Sequence, residues 1–173
     1  MVKDEFFDDV CFEITDSINF CSAFYNLDPE LIASIIYQES VQGASHIQKA
    51  VIAMRYEHDF YFRYISPLEL GDPAEEILRS TSFGLMQVMG QTAIDYKLIE
   101  VGNIEKLLNI RVNVGTGCAI FKRKMGEGKS DEARIFRALR LYNGSLGNPL
   151  TEAYANSVLN HKRNESYKLF YRG

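Results

Sequence analysis

The stretch LDPELIASIIYQES, residues 27–40, decides how the chain is read. Asp28-Pro29-Glu30 is a helix start. The Asp28 side chain can cap free backbone N–H groups, Pro29 fits the first helical turn, and Glu30 complements the positive end of the helix. The helix is expected to run on through LIASIIYQES. On it, Leu31, Ile32, Ile35 and Ile36 precede Glu39 by eight, seven, four and three residues. Glu39 therefore shares the apolar face, at the C-terminal end of the helix. Burial and the negative end of the helix dipole both disfavour a charged carboxylate there, and both push its pKa up. A carboxylic acid that keeps its proton near neutral pH can serve as a general acid. From spacing alone a second reading stands beside this one: Glu39 sits at the helix rim and reaches water or an arginine.

The rest of the chain repeats the helical pattern. Asp72-Pro73 and Asn148-Pro149 begin further helices, so three of the four prolines mark helix starts. Ser130-Asp131-Glu132 starts another, ending at Asn143-Gly144. Strand signals are weak. The aromatic segment AMRYEHDFYFRYI, residues 53–65, reads equally as a short strand or as an irregular wall. The fold class expected is mainly α, with at most a minor short strand or irregular segment.

Composition excludes several classes of function. The 173 residues, 46% hydrophobic and 24% charged, describe one ordinary globular domain. Apolar runs are too short for a membrane-spanning helix, and MVKDEFFDDV does not read as a secretory signal. Cys11, Cys21 and Cys118 cannot all pair and are expected to be free thiols. With no CxxC and with His46, His58 and His161 scattered, no metal site and no cofactor is expected. Charge is uneven. Residues 1–119 carry 8 Lys/Arg against 18 Asp/Glu, a net −10, and residues 120–173 carry 11 against 5, a net +6. A basic last third suits an anionic polymer or a solvated helix face. Nucleic acid is not the expected partner, because no recognised nucleic-acid motif accompanies a pI of 5.4.

Two more segments stand out. In STSFGLMQVMGQTA, residues 80–93, Ser82-Phe83-Gly84 is a small–aromatic–small turn, and Gly84 lets backbone approach a ligand or a helix. Gln87 lies within an apolar run, so its amide either ties down a neighbouring loop or faces a polar cleft. In RALRLYNGS, residues 137–145, Asn143-Gly144 has a sufficient explanation as a helix end, and Tyr142 reads as a core aromatic with its hydroxyl at the edge.

Taken in order, LDPELIASIIYQES (27–40), SFGLMQVMGQTA (82–93), NIRVNVGTGCAIF (109–121), LYNGS (141–145) and EAYANSVLNHK (152–162) resemble the lytic transglycosylases of the soluble type, related to goose-type lysozymes. The segment IAMRYEHDFYFRYI (52–65) further resembles a phage- and prophage-associated branch. The resemblance implies a single lysozyme-like catalytic domain over residues 1–173. Residues 1–26 would be an N-terminal helical extension, and 41–80 an insertion lining the glycan groove, longer than in short secreted members. It implies cleavage of the β-1,4 bond between N-acetylmuramic acid and N-acetylglucosamine in peptidoglycan. Glu39 would act as acid and then as base toward the muramoyl C6 hydroxyl, closing a 1,6-anhydro ring. Ser82, Phe83, Gly84, Gln87, Tyr142, Asn143, Tyr154 and Tyr56 would bind substrate, Tyr154 having core packing as an equally good account.

Glu57 is open between an ion pair with Arg55 and a second carboxylate that activates water, as in a hydrolase; Asp59 and Asp95 are weaker candidates. A non-catalytic peptidoglycan-binding structural protein is the remaining alternative. The partners expected are peptidoglycan glycan strands, without nucleic acid or membrane insertion, and a monomer. Wall binding would be aided by Lys122, Arg123, Lys124, Arg134, Arg137 and Arg140. The enzyme would be made in the cytoplasm and reach the wall by holin-type release or as part of a virion.

Overall fold

A computed structural model describes residues 5–127 and 131–173. Residues 1–4 and the expected capping residue Ser130 lie outside the described residues. The chain forms α1 (Glu5–Tyr25), α2 (Pro29–Ile36), α3 (Ile47–Val51), β1 (Met54–Tyr56), α4 (His58–Phe60), α5 (Pro73–Arg79), β2 (Thr81–Phe83), β3 (Val88–Met89), α6 (Gly90–Asp95), α7 (Ile110–Met125), α8 (Glu132–Asn143) and α9 (Pro149–Arg163). This is the mainly α, lysozyme-like architecture expected, with a small antiparallel sheet in the order β1-β2-β3.

Local chemistry explains the helix starts. Asp28 accepts from Glu30 N at 2.9 Å, Asp72 from Ala74 N at 3.0 Å, and Asn148 from Leu150 N at 3.0 Å, each followed by proline in the first turn. Asp131 caps α8 through Arg134 N at 2.8 Å. Each satisfies a donor that the helix leaves unpaired.

The core lies where α7 packs against α1 and α8 while α9 packs against α2 and α8. Ile14, Ile18 and Cys21 from α1, Ile32, Ile35 and Ile36 from α2, Val114, Cys118 and Phe121 from α7, and Val158 from α9 are almost without solvent contact. The N-terminal helix thus shares the one core. Met86 sits over Gly117, where an added Cβ would lie 2.4 Å from the Met86 sulfur. Only glycine admits that approach.

One expectation is corrected. The helix of residues 29–40 does not stay regular. After Ile36 it widens into a π-turn over Tyr37–Val41, with Gln42 N donating to Tyr37 O at 2.9 Å. The Ser40 hydroxyl donates to Leu85 O at 2.8 Å, with Ile36 O 3.2 Å away sharing the proton, so the turn is tied to the loop between β2 and β3. Single π-turns interrupting α-helices recur at functional positions.

The 84–87 loop is held from within. Gly84 has φ +66° and Gln87 φ +45°. The Asn113 amide, fully buried on α7, donates to Phe83 O at 2.7 Å and to Leu107 O at 2.8 Å, and accepts from Met86 N at 2.8 Å. A Cβ on Gly84 would fall 2.5 Å from that amide nitrogen. Replacing Asn113 by alanine strands one backbone N–H and two carbonyls away from water. The expected cost is on the order of 3 kcal/mol, lowering Tm by roughly 6–12 °C. Calorimetry showing a shift under 2 °C would contradict this role.

Candidate active site

The sheet sorts its residues by face. Neighbouring residues on a strand point to opposite sides. Arg55 pairs with Ser82 and Ser82 with Met89, so these three share one face, and all three line a cleft of about 220 Å³. Glu39, Glu57, Phe60, Gln87, Tyr142 and Asn143 complete its wall. Side chains drawn from four stretches of the chain, at 39, 55–60, 82–89 and 142–143, thus meet at one surface feature.

The same alternation corrects one substrate-contact expectation. Phe83 follows Ser82 and faces the core with 0% exposure. Tyr56, which follows Arg55, stays open to a ligand, 43% exposed beside the rings of Tyr61 and His58, though it does not line this cleft. Gly84 is also absent from the lining; its close approach is to Asn113, a helix side chain.

Glu39 leaves the π-turn half-buried, at the wall of the cleft. Desolvation by burial raises its pKa from 4.5 to about 7; the Tyr154 hydrogen bond and the Arg55 charge pull it down, and Glu57 pushes it up. Tyr154, buried on α9, donates its hydroxyl to Glu39 Oε1 at 2.5 Å. Burial first, and then the nearby Glu39 charge, hold the Tyr154 phenol well above its ordinary range, so it stays a donor. The site therefore contains a carboxyl that binds its proton near neutrality and a fixed donor that stabilises the carboxylate once that proton leaves.

Tyr142 donates its hydroxyl to Met86 O at 2.9 Å and is likewise kept protonated, first by burial and then by Glu39. Gln87 fulfils both of its expected readings. Its amide N–H groups donate to Gly84 O at 2.9 Å and Ala53 O at 3.4 Å, while its side-chain oxygen accepts from Ser82 at 2.9 Å and it borders the cleft.

Glu57 accepts from Arg55 Nε at 2.5 Å and lies 3.4 Å from the Ser82 hydroxyl. It is thus ion-paired and also faces the cleft. Asp59 and Asp95 are not among the lining residues. Sequence reasoning did not single out Phe60 or Met89 as lining residues. Nor did it identify Ser40 and Asn113 as the side chains that hold the loop. Ser40 is visible in the sequence only as the neighbour of Glu39, and Asn113 only as a polar residue in an apolar helix.

Part of the basic cluster is engaged internally. Arg123 donates to Tyr96 O at 2.7 Å and lies over the Tyr96 ring, and Arg140 donates to Thr151 Oγ1 at 3.4 Å. Among the described residues, no group of three or more His, Cys, Asp or Glu side chains is placed to hold a metal ion, and no helix is long and apolar enough to cross a membrane.

The family model described as the transglycosylase SLT domain matches residues 16–165. No curated protein and no solved structure matches the chain.

The Glu39 environment makes stability depend on pH. The folded state holds the proton more tightly than the unfolded chain. The resulting stabilisation is full below about pH 4.5 and is lost as pH rises through about 7. Across that window the protein should lose on the order of 3 kcal/mol that Glu39→Gln does not lose. Tyr154→Phe removes a contact that lowers the Glu39 pKa and should extend the window upward. Parallel denaturation curves for the unsubstituted protein and Glu39→Gln at pH 4 and 8 would contradict this.

Proposed function

The chain belongs to the transglycosylase SLT domain family, and on that footing we propose that it cleaves the β-1,4 bond between N-acetylmuramic acid and N-acetylglucosamine and releases a 1,6-anhydromuramoyl product. Family membership supports lytic transglycosylase activity on peptidoglycan in general. The finer reading rests on one observation: the carboxyl of Glu39, with its proton held to about pH 7, opens on the cleft against the Tyr154 hydroxyl.

In this mechanism Glu39 gives its proton to the glycosidic oxygen as the bond to the muramoyl C1 breaks. Tyr154 then stabilises the carboxylate. Glu39 next takes the proton of the muramoyl C6 hydroxyl as that oxygen closes on C1, which returns the enzyme to its starting protonation. One carboxyl suffices because the nucleophile belongs to the substrate and is already in place. Tyr142 and Asn143 are assigned to the sugar ring and its acetamido group, beside the developing positive charge. Ser82 and Gln87 hold the opposite wall. Glu57 is assigned to that wall as the partner of Arg55, rather than to the activation of water. The 41–80 segment contributes Arg55, Glu57 and Phe60 to the groove. Use as a phage or prophage lysis enzyme is part of the proposal, supported by the aromatic segment at 52–65 and by three free cysteines suited to synthesis in a reducing compartment.

Mass spectrometry of muropeptides released from purified sacculi tests this reading. The expected products are one water lighter than hydrolysed muropeptides. Glu39→Gln should lower their yield by about 10³-fold, within the range for loss of a general acid. Glu57→Gln should still give anhydro products. Reducing-end products of normal mass, lost in Glu57→Gln, would instead establish a hydrolase with two carboxylates.

A further inference from the structure

A ridge of aromatic rings spans residues 56–64 in two groups, one of which reaches the cleft through Phe60. Phe60 lines the cleft, and its ring lies 4.9 Å from that of Tyr64, which is 53% exposed. On the other flank Tyr61 lies 6.1 Å from Tyr56 and 5.0 Å from Phe62, and His58 lies 4.7 Å from Phe62. Phe62 is 58% exposed. Rings of this size left in water, contiguous with a cleft, mark a binding surface rather than scattered exposure.

The ridge is also preorganised. Ile65, with 0% exposure, anchors the end of the turn that carries these rings, and the Tyr61 hydroxyl donates to Glu76 Oε2 on α5 at 3.0 Å. Little order remains to be imposed when a ligand arrives.

We propose that this ridge is an outlying glycan-binding surface, where sugar rings beyond the bond being cut lie against the exposed faces of Tyr64 and Phe62. The inference rests on the reading that the cleft takes peptidoglycan. Pyranose rings present C–H bonds on their faces and hydroxyls at their edges. They therefore match a surface of aromatic faces tipped with Tyr hydroxyls and a His nitrogen. The continuity from Phe60 to Tyr64 commits the occupant to the strand already in the cleft. Local charge disfavours an anionic membrane: residues 54–76 carry two arginines against six acids, the reverse of a lipid-binding polybasic segment. The surface selects for strand length, so the enzyme prefers long glycan to short fragments.

Kinetics on long glycan strands and on purified tetrasaccharides, with the double variant Phe62→Ala/Tyr64→Ala, test the proposal. The ratio of kcat/KM for long over short substrates should fall about tenfold, through KM, and Phe62→Trp/Tyr64→Trp should restore it. Both side chains are exposed, and an unchanged Tm confirms that the fold is intact. An unchanged ratio overturns the ridge while leaving the cleft reading intact. If the unsubstituted protein cleaves neither substrate, the proposed function fails. The ridge is then judged by co-sedimentation of Glu39→Gln with sacculi, which the two alanines should weaken; equal binding overturns it. Alanine-sensitive co-sedimentation with phosphatidylglycerol vesicles, or an alanine-sensitive dimer in solution, would also overturn it in favour of a lipid or a second copy.

Discussion

The structure turns on a carboxyl partly withdrawn from water at the end of a helix. Leaving Glu39 charged in that place is costly, so the group keeps its proton to about pH 7. Burial, the largest cause of this raised pKa, is a property of packing, and the Glu57 charge adds to it. The apolar face of α2 carries the residue inward, the π-turn presents it to the cleft, and α9 places Tyr154 against it. A single donor at 2.5 Å stabilises the charged form without abolishing the shift. The carboxyl can therefore both give and retake a proton.

A second constraint keeps the opposite wall in register. The 84–87 loop carries two residues with positive φ, one of them the non-glycine Gln87, a conformation that persists only where surroundings enforce it. Three side chains enforce it, each from a different direction. Ser40 donates to Leu85 O from the π-turn, Asn113 brackets Met86 N and Phe83 O from α7, and Tyr142 donates to Met86 O from α8. The turn that carries the acid and the loop that carries Gln87 are thus bonded to each other. Displacing either moves the other, so the placement of Glu39 and the stability of the loop are coupled.

Much of this was legible in the sequence because it is local. Asp28-Pro29, Asp72-Pro73 and Asn148-Pro149 announce helix starts whose caps need only neighbouring residues. The placement of Glu39 on an apolar stripe follows from helical spacing. The π-turn was not legible, since it depends on Ser40 reaching a carbonyl 45 residues away. The Tyr154–Glu39 bond spans 115 residues and connects helices that sequence alone does not pair. Phe83 and Tyr56 show the same limit. Each follows a cleft residue on a strand too short to announce its alternation, so the face each presents emerged only with the register of the sheet.

The most direct measurement is the pKa of the Glu39 carboxyl, followed by ¹³C NMR of the protein labelled at glutamate side-chain carbons, with Glu39→Gln identifying the resonance. The account predicts a midpoint near 7, displaced further upward in Tyr154→Phe. A midpoint near the ordinary 4.5 would show an acid already ionised at neutral pH. It would remove the proton on which the account depends.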